Sequence, residues 1–161
     1  MNKATVLRDL DRTRELVVPF FDSDAELLRR SYGTGKWTLR QILAHLADSE
    51  VVSQARTRFI LSEPGTSIVP FDQDKWTRTL LYEQRSVPLM RRLFITTRES
   101  LIELVDLLPE VLFGREGRHP EHPSYRAWDV VTRTATHTKH HYGQLVAIRD
   151  GVPWLPPSPS A

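Results

Sequence analysis

Val87, Met90, Phe94, Thr97, Leu101, Leu104 and Leu108 follow one another at alternating steps of three and four. That spacing returns each residue to one side of an α-helix, producing a stripe that has to be buried against other helices. Pro88 falls in the first turn, where its missing N–H costs nothing, and Pro109 closes the other end. The stretch therefore predicts a helix over 87–108 that forms a seam of a helical bundle.

Three further helices are expected around it. Val6, Leu10, Thr13 and Val17 recur at helical spacing until Pro19 ends the run. Thr38, followed three residues later by Gln41, reads as the capping box of a helix over about 38–61, a stretch with neither Gly nor Pro. A last helix is expected from about 126 to 149, before Gly151 and Pro153. Between these, "SDAE" at 23–26 opens a short piece ending near Gly33 and Gly35, and a turn of helix is expected around Asp74–Leu81. Two long loops, 62–73 and 113–125, complete the chain, and no convincing strand pattern is present. The reading is an all-α, four-helix bundle: one domain over 1–150, then a Pro-rich tail over 151–161, extended or disordered.

Composition narrows the function classes. There is no cysteine, which excludes a disulfide framework, a zinc ribbon and a cysteine nucleophile, so any metal must be held by nitrogen and oxygen. The 22 basic and 20 acidic residues are intermixed, which argues against nucleic acid as a partner. The adjacent Arg91 and Arg92 read as a solvated helix face rather than a phosphate track. The longest apolar run near the N-terminus, Leu16–Phe21, is too short for a signal-peptide core. A cytoplasmic protein with no membrane association is expected.

The chain has six histidines, and three of them crowd into "ATHTKHHYGQL", residues 135–145. At about 100° per residue, His137 and His141 fall on the stripe marked by Val130, Thr134, Leu145 and Ile148, one turn apart, while His140 lies to one side. Two imidazoles at i and i+4 can share a metal ion, as in helical zinc motifs, although the metalloprotease glutamate is absent here. His45 sits among Leu39, Ile42, Leu43 and Leu46, on the apolar wall of its own helix. A lone histidine on such a wall is more often a hydrogen-bonded core residue than a ligand. Three inward imidazoles on two helices, each needing a partner in the core, instead favour a shared metal. Three protein ligands with one open position is the arrangement of a catalytic site.

Weaker candidates surround them. Gln144 follows His141 by three residues and either bonds a ligand imidazole or a bound substrate, or lies on the helix surface; Asp48 either orients His45 or makes exposed salt bridges. His119 and His122, in the Pro-rich loop, read as simple loop histidines in preference to a mobile mouth of the pocket, and Trp37, Trp76 and Trp128 as core or pocket wall.

The segments "KWTLRQILAHLADSE", "VPFDQDKW" and "HTKHHYGQL", in this order, resemble the DinB-like family of metal-dependent proteins, which includes YfiT-like hydrolases and bacillithiol S-transferases. The resemblance spans about residues 5–150. It implies a four-helix bundle, often a homodimer, with a divalent transition metal, zinc or nickel, held by residues that correspond to His45, His137 and His141.

Three functions follow as expectations. The first is a thiol S-transferase, in which a metal-activated thiolate of a low-molecular-weight thiol attacks an electrophilic small-molecule substrate in detoxification. The second is a metal-dependent hydrolase using a metal-bound hydroxide, with Asp48 or Gln144 positioning water. The third is a non-enzymatic, dimeric metal- or ligand-binding module.

Overall fold

The computed structural model describes residues 2–155, with the side chain of Pro123 excepted. Four long helices build the bundle: α1 (Lys3–Val17), α3 (Leu39–Ser62), α5 (Val87–Leu107) and α6 (Ala127–Asp150). Two short helices, α2 (Ala25–Arg29) and α4 (Gln73–Thr79), sit in the connections. α1 and α3 each pack against both α5 and α6, which places α1 and α3 at opposite corners. No helix among the described residues is long and apolar enough to cross a membrane.

Local chemistry sets the helix starts. The Asn2 side chain accepts from Thr5 N at the head of α1. Thr38 and Gln41 form the reciprocal capping box at α3, satisfying two backbone donors that would otherwise be orphaned. At α2 the capping residue is Asp24, accepting from Leu27 N, and the helix ends at Arg29, short of the two glycines. Gly151 closes α6 at φ 68°, a left-handed conformation that glycine adopts without a Cβ clash.

The interior differs from the predicted seam in one decisive place. On α5 the buried positions are Val87, Met90, Phe94, Arg98, Leu101 and Val105, whereas Thr97, Leu104 and Leu108 are only half-buried. An arginine therefore occupies the middle of the stripe. Its head donates from Nε to Glu50 of α3 (2.9 Å), from Nη1 to Leu10 O and Thr13 Oγ1 of α1 (2.7 and 2.8 Å), and from Nη2 to Glu50 and Thr138 Oγ1 of α6 (the latter 2.7 Å). All four long helices thus meet in one buried polar layer. It lies between two apolar clusters, one around Leu43, Met90 and Phe94 and the other around Leu10, Leu101 and Val131.

The second correction concerns 113–125. This segment holds an antiparallel hairpin, β1 (Glu116–His119) and β2 (His122–Arg126), pairing Gly117 with Tyr125 and His119 with His122. The loop after α3 lies alongside it, through Ile68 N to Arg118 O and Arg118 N to Thr66 O, each 2.8 Å. "EGRH" and "HPSYR" show no apolar alternation because backbone bonds and one close approach hold the hairpin. A Cβ at Gly117 would stand 3.0 Å from Ile60 and 3.1 Å from Ile68, so the strand packs backbone-first on the core.

The predicted tail is partly docked. Trp154 packs against Tyr32 and His140, with ring centroids 5.8 and 4.7 Å away. The remainder of the expected tail, 156–161, lies outside the described residues.

Candidate metal centre

α3 and α6 pack against each other, so a residue on the facing stripe of one meets its counterpart on the other. His45 comes from α3; His137 and His141, one turn apart, come from α6. His45 Nε2 lies 3.0 Å from His137 Nε2, and His141 Nε2 lies 3.1 Å from the same atom. Three ring nitrogens thus converge on a single point. His45 is 1% exposed and His141 6%.

Burial settles the charge of these rings. Desolvation, reinforced by the neighbouring imidazoles, lowers His137 to about 3 and holds His45 well below the ordinary value. Desolvation also lowers His141 to about 4, although its bond to Gln144 pulls the other way. All three are neutral at pH 7, which is the form that binds metal. The same shifts predict an acid sensitivity. Unfolded histidines take up protons below pH about 6.5 while the buried ones resist, so the unfolded state binds more protons. Each such histidine removes roughly 1.4 kcal/mol of stability per pH unit as the pH falls from about 6.5 towards 4. Chemical denaturation of metal-free protein across that range should show the loss, and flat stability would contradict it.

The donor set fits a metal ion. His141 Nδ1 donates to Gln144 Oε1 at 2.7 Å, which leaves the lone pair on Nε2, the converging nitrogen. His45 Nδ1 is buried with no hydrogen-bond partner, so only its Nε2 side engages neighbouring groups. Lone pairs facing one another at 3.0 and 3.1 Å repel unless a proton or a cation lies between them. Around tetrahedral zinc, with bonds of about 2.0–2.1 Å, ligand nitrogens stand about 3.3–3.4 Å apart. The rings need to separate by only a few tenths of an ångström.

The other expected residues divide. Gln144 touches His141 and donates from Nε2 to Tyr32 OH at 3.4 Å. Asp48 does not orient His45. Both its oxygens face Arg85 Nη1 at 2.6 Å, because the guanidinium offers a charged partner and the helix turns the carboxylate away from the imidazole. Trp37 forms a wall, stacked on His141 (6.1 Å, 8°) and tilted on His45 (4.9 Å), its Nε1 donating to Asp74. Trp76 packs on Phe71 and Trp128 on Phe113. His140 is exposed and lies to one side, its ring edge-on to His141 (5.2 Å) but outside the group of converging nitrogens.

Sequence reasoning missed two features. The first is the Glu50–Arg98 pair, whose only signal was an arginine falling on the alternative step Phe94–Arg98–Leu101. The second is the hairpin group. His119 and His122, read as simple loop histidines, lie with Glu121 so that one ligand atom from each is within 4.8 Å of the others. They line a cavity of about 210 Å³ that His45 and His137 also line.

Replacing Gln144 with leucine should weaken metal binding about 10–100-fold by releasing His141 from its tautomer. A zinc titration against a competing chelator measures this, and an unchanged affinity would remove Gln144 from the site.

Fold and donor set together define a class: a helical bundle with a three-histidine cluster, of metal-site type, opening on a small cavity. The chain belongs to the DinB superfamily, whose family model matches residues 7–145. A relative from Geobacillus thermodenitrificans is 31% identical over 136 residues, covering 80% of this chain and 73% of its own. One from Oceanobacillus iheyensis is 27% identical over 148 residues, covering 92% and 84%. Both are provisionally named metal-dependent hydrolases. Among solved structures, YfiT from Bacillus subtilis, provisionally assigned as a metal-dependent hydrolase with an unusual four-helix bundle topology, superposes with a TM-score of 0.84 at 22% identity over 93% of this chain and 88% of that one. A mycothiol-dependent maleylpyruvate isomerase superposes with a TM-score of 0.72 at 13% identity, over 90% of this chain and 61% of that one.

Proposed function

We propose that His45, His137 and His141 hold a divalent transition metal, zinc or nickel, and that the protein transfers a low-molecular-weight thiol to a small electrophilic substrate. The observation that carries this reading is the convergence of three neutral imidazoles beside a cavity, with no fourth histidine or carboxylate in the group. When bound, such an ion supplies Lewis acidity that favours the ionised form of a thiol or a water.

The surrounding residues favour the thiol. Glu50 is the buried carboxylate lining the cavity, and Arg98 holds it on both oxygens, so it is not free to act as a base. A free thiol (pKa about 8.5) ionises far more readily than free water and so needs less help. Gln144 fixes His141, and Trp37 shields the triad from one side. The new carbon–sulfur bond forms as the substrate's bond to its leaving group breaks, the leaving group keeping the electron pair and the thiol proton passing to solvent. The fold shared with a mycothiol-dependent enzyme is consistent with this choice. The names of the sequence relatives favour hydrolysis as the second reading.

The test uses zinc- or nickel-loaded protein with monochlorobimane and a panel of thiols that includes glutathione, cysteine, bacillithiol and mycothiol. Conjugate formed faster than by metal-free protein is the expected result. Ester or amide hydrolysis without any thiol, and no conjugate with any of them, would overturn the transferase in favour of the hydrolase.

A further inference from the structure

The cavity that reaches His45 and His137 carries two cations with no acidic partner among the described residues. They are Arg56, from α3, and Arg133, from α6. Arg56 donates to the backbone carbonyl of Val69 and lies over the Phe71 ring at 5.8 Å. Arg133 Nη1 stands 3.5 Å from His122 Nε2. Neither takes part in a salt bridge, whereas the buried Glu50 that lines the same cavity is paired with Arg98. Glu50 is neutralised by Arg98, which leaves Glu121, exposed on the hairpin, as the free acid of the cavity. The lining thus holds two guanidiniums and one unpaired carboxylate.

A metal held by three neutral imidazoles would keep its full double charge and make the cavity more positive still. Guanidinium presents a planar fork of donors matched to carboxylate and phosphate oxygens, and it binds them most strongly where water is thinned. Size limits the ligand further. About 210 Å³ corresponds to roughly seven water volumes and falls below the usual ~300–1,000 Å³ of ligand pockets. That suits a small anionic group, with a second hollow of about 630 Å³ sharing Arg133 and His137.

The grouping of His119, Glu121 and His122 raises a second possibility, another cation. Arg133 argues against it, because its guanidinium, 3.5 Å from His122 Nε2, already places a positive charge against that group. Arg56 and Arg133 also join burial and His122 in opposing positive charge on His119.

We infer that this cavity receives the anionic head group of a small substrate, a carboxylate or a phosphate, on Arg133 and Arg56, with the hairpin histidines forming the facing wall. The inference deepens the reading above and rests on it for the role of the anion as substrate.

Titration calorimetry on the full chain, with and without zinc, tests it using malonate and inorganic phosphate as anions and malonamide as the neutral control. Variants are Arg133→Gln, Arg56→Gln, their combination, and Arg133→Lys, which keeps charge but loses the fork. At least one anion should bind while malonamide does not. The double variant should bind it about tenfold or more weakly, with Arg133→Lys intermediate. Metal content and unfolding midpoint should match wild type, since Arg133 is exposed and neither residue is a ligand. Binding of malonamide as tight as malonate, or wild-type affinity in the double variant, would overturn the inference. So would a second zinc equivalent lost in His122→Ala. A wild type that binds no metal yet binds an anion through these arginines would sink the metal reading and leave the anion site standing.

Discussion

Replacing Arg98 with methionine is expected to lower the thermal unfolding midpoint by roughly 6–20 °C. Arg98 is 0% exposed and reaches all three other long helices, so its loss strands the buried Glu50 carboxylate without a partner. An orphaned buried charge costs about 3–5 kcal/mol, and a chain of this length loses about 2–4 °C per kcal/mol. Thr13 and Thr138 are not left unsatisfied, because their hydroxyls also donate to Asp9 O and Thr134 O. The companion variant, Arg98→Met with Glu50→Met, should therefore recover most of the loss, since apolar replacement of a whole buried pair is often neutral or stabilising. Calorimetry of the two proteins decides the matter: a double variant as unstable as the single one would mean that packing, not charge, explains the effect.

The second large effect concerns the metal. Protein purified without a histidine tag should hold about one equivalent of a transition metal, and His45→Ala, His137→Ala and His141→Ala should each lose nearly all of it. The effect should exceed the 10–100-fold loss expected for Gln144→Leu, because a donor is removed and not merely its support. These variants should still fold, since each replaces a neutral imidazole by a smaller apolar side chain and leaves no buried charge without a partner. Elemental analysis beside circular dichroism reads both outcomes. Folded wild type that stays metal-free after incubation with zinc and nickel would refute the triad as a metal centre.

What the amino-acid sequence determined by itself was periodic or local. The stripes Val6–Leu10–Thr13–Val17 and Val130–Thr134–Leu145–Ile148 are buried as their spacing requires, because helical geometry repeats every 3.6 residues whatever the partner. The Thr38–Gln41 box needs only four consecutive residues. The same periodicity placed His137 and His141 on one face, and the apolar neighbours of His45 placed it inside, so the three imidazoles that converge were legible.

Tertiary structure decided what depends on contacts between distant segments. Whether Thr97 or Arg98 faces inward is a matter of about 100° of helix rotation, and Glu50, 48 residues away, settles it by meeting the guanidinium. Asp48 could have turned to His45 on spacing alone, but Arg85, 37 residues further on, offers it a charge. The hairpin has no apolar alternation, because backbone pairing and the contact of Gly117 with Ile60 and Ile68 hold it. Only by folding over the end of α3 does it bring His119 and His122 to the cavity shared by His45, Arg56 and Arg133. Burial of a helix face is written in local spacing, while the pairing of charges and the walls of a cavity are long-range contacts that no local pattern encodes.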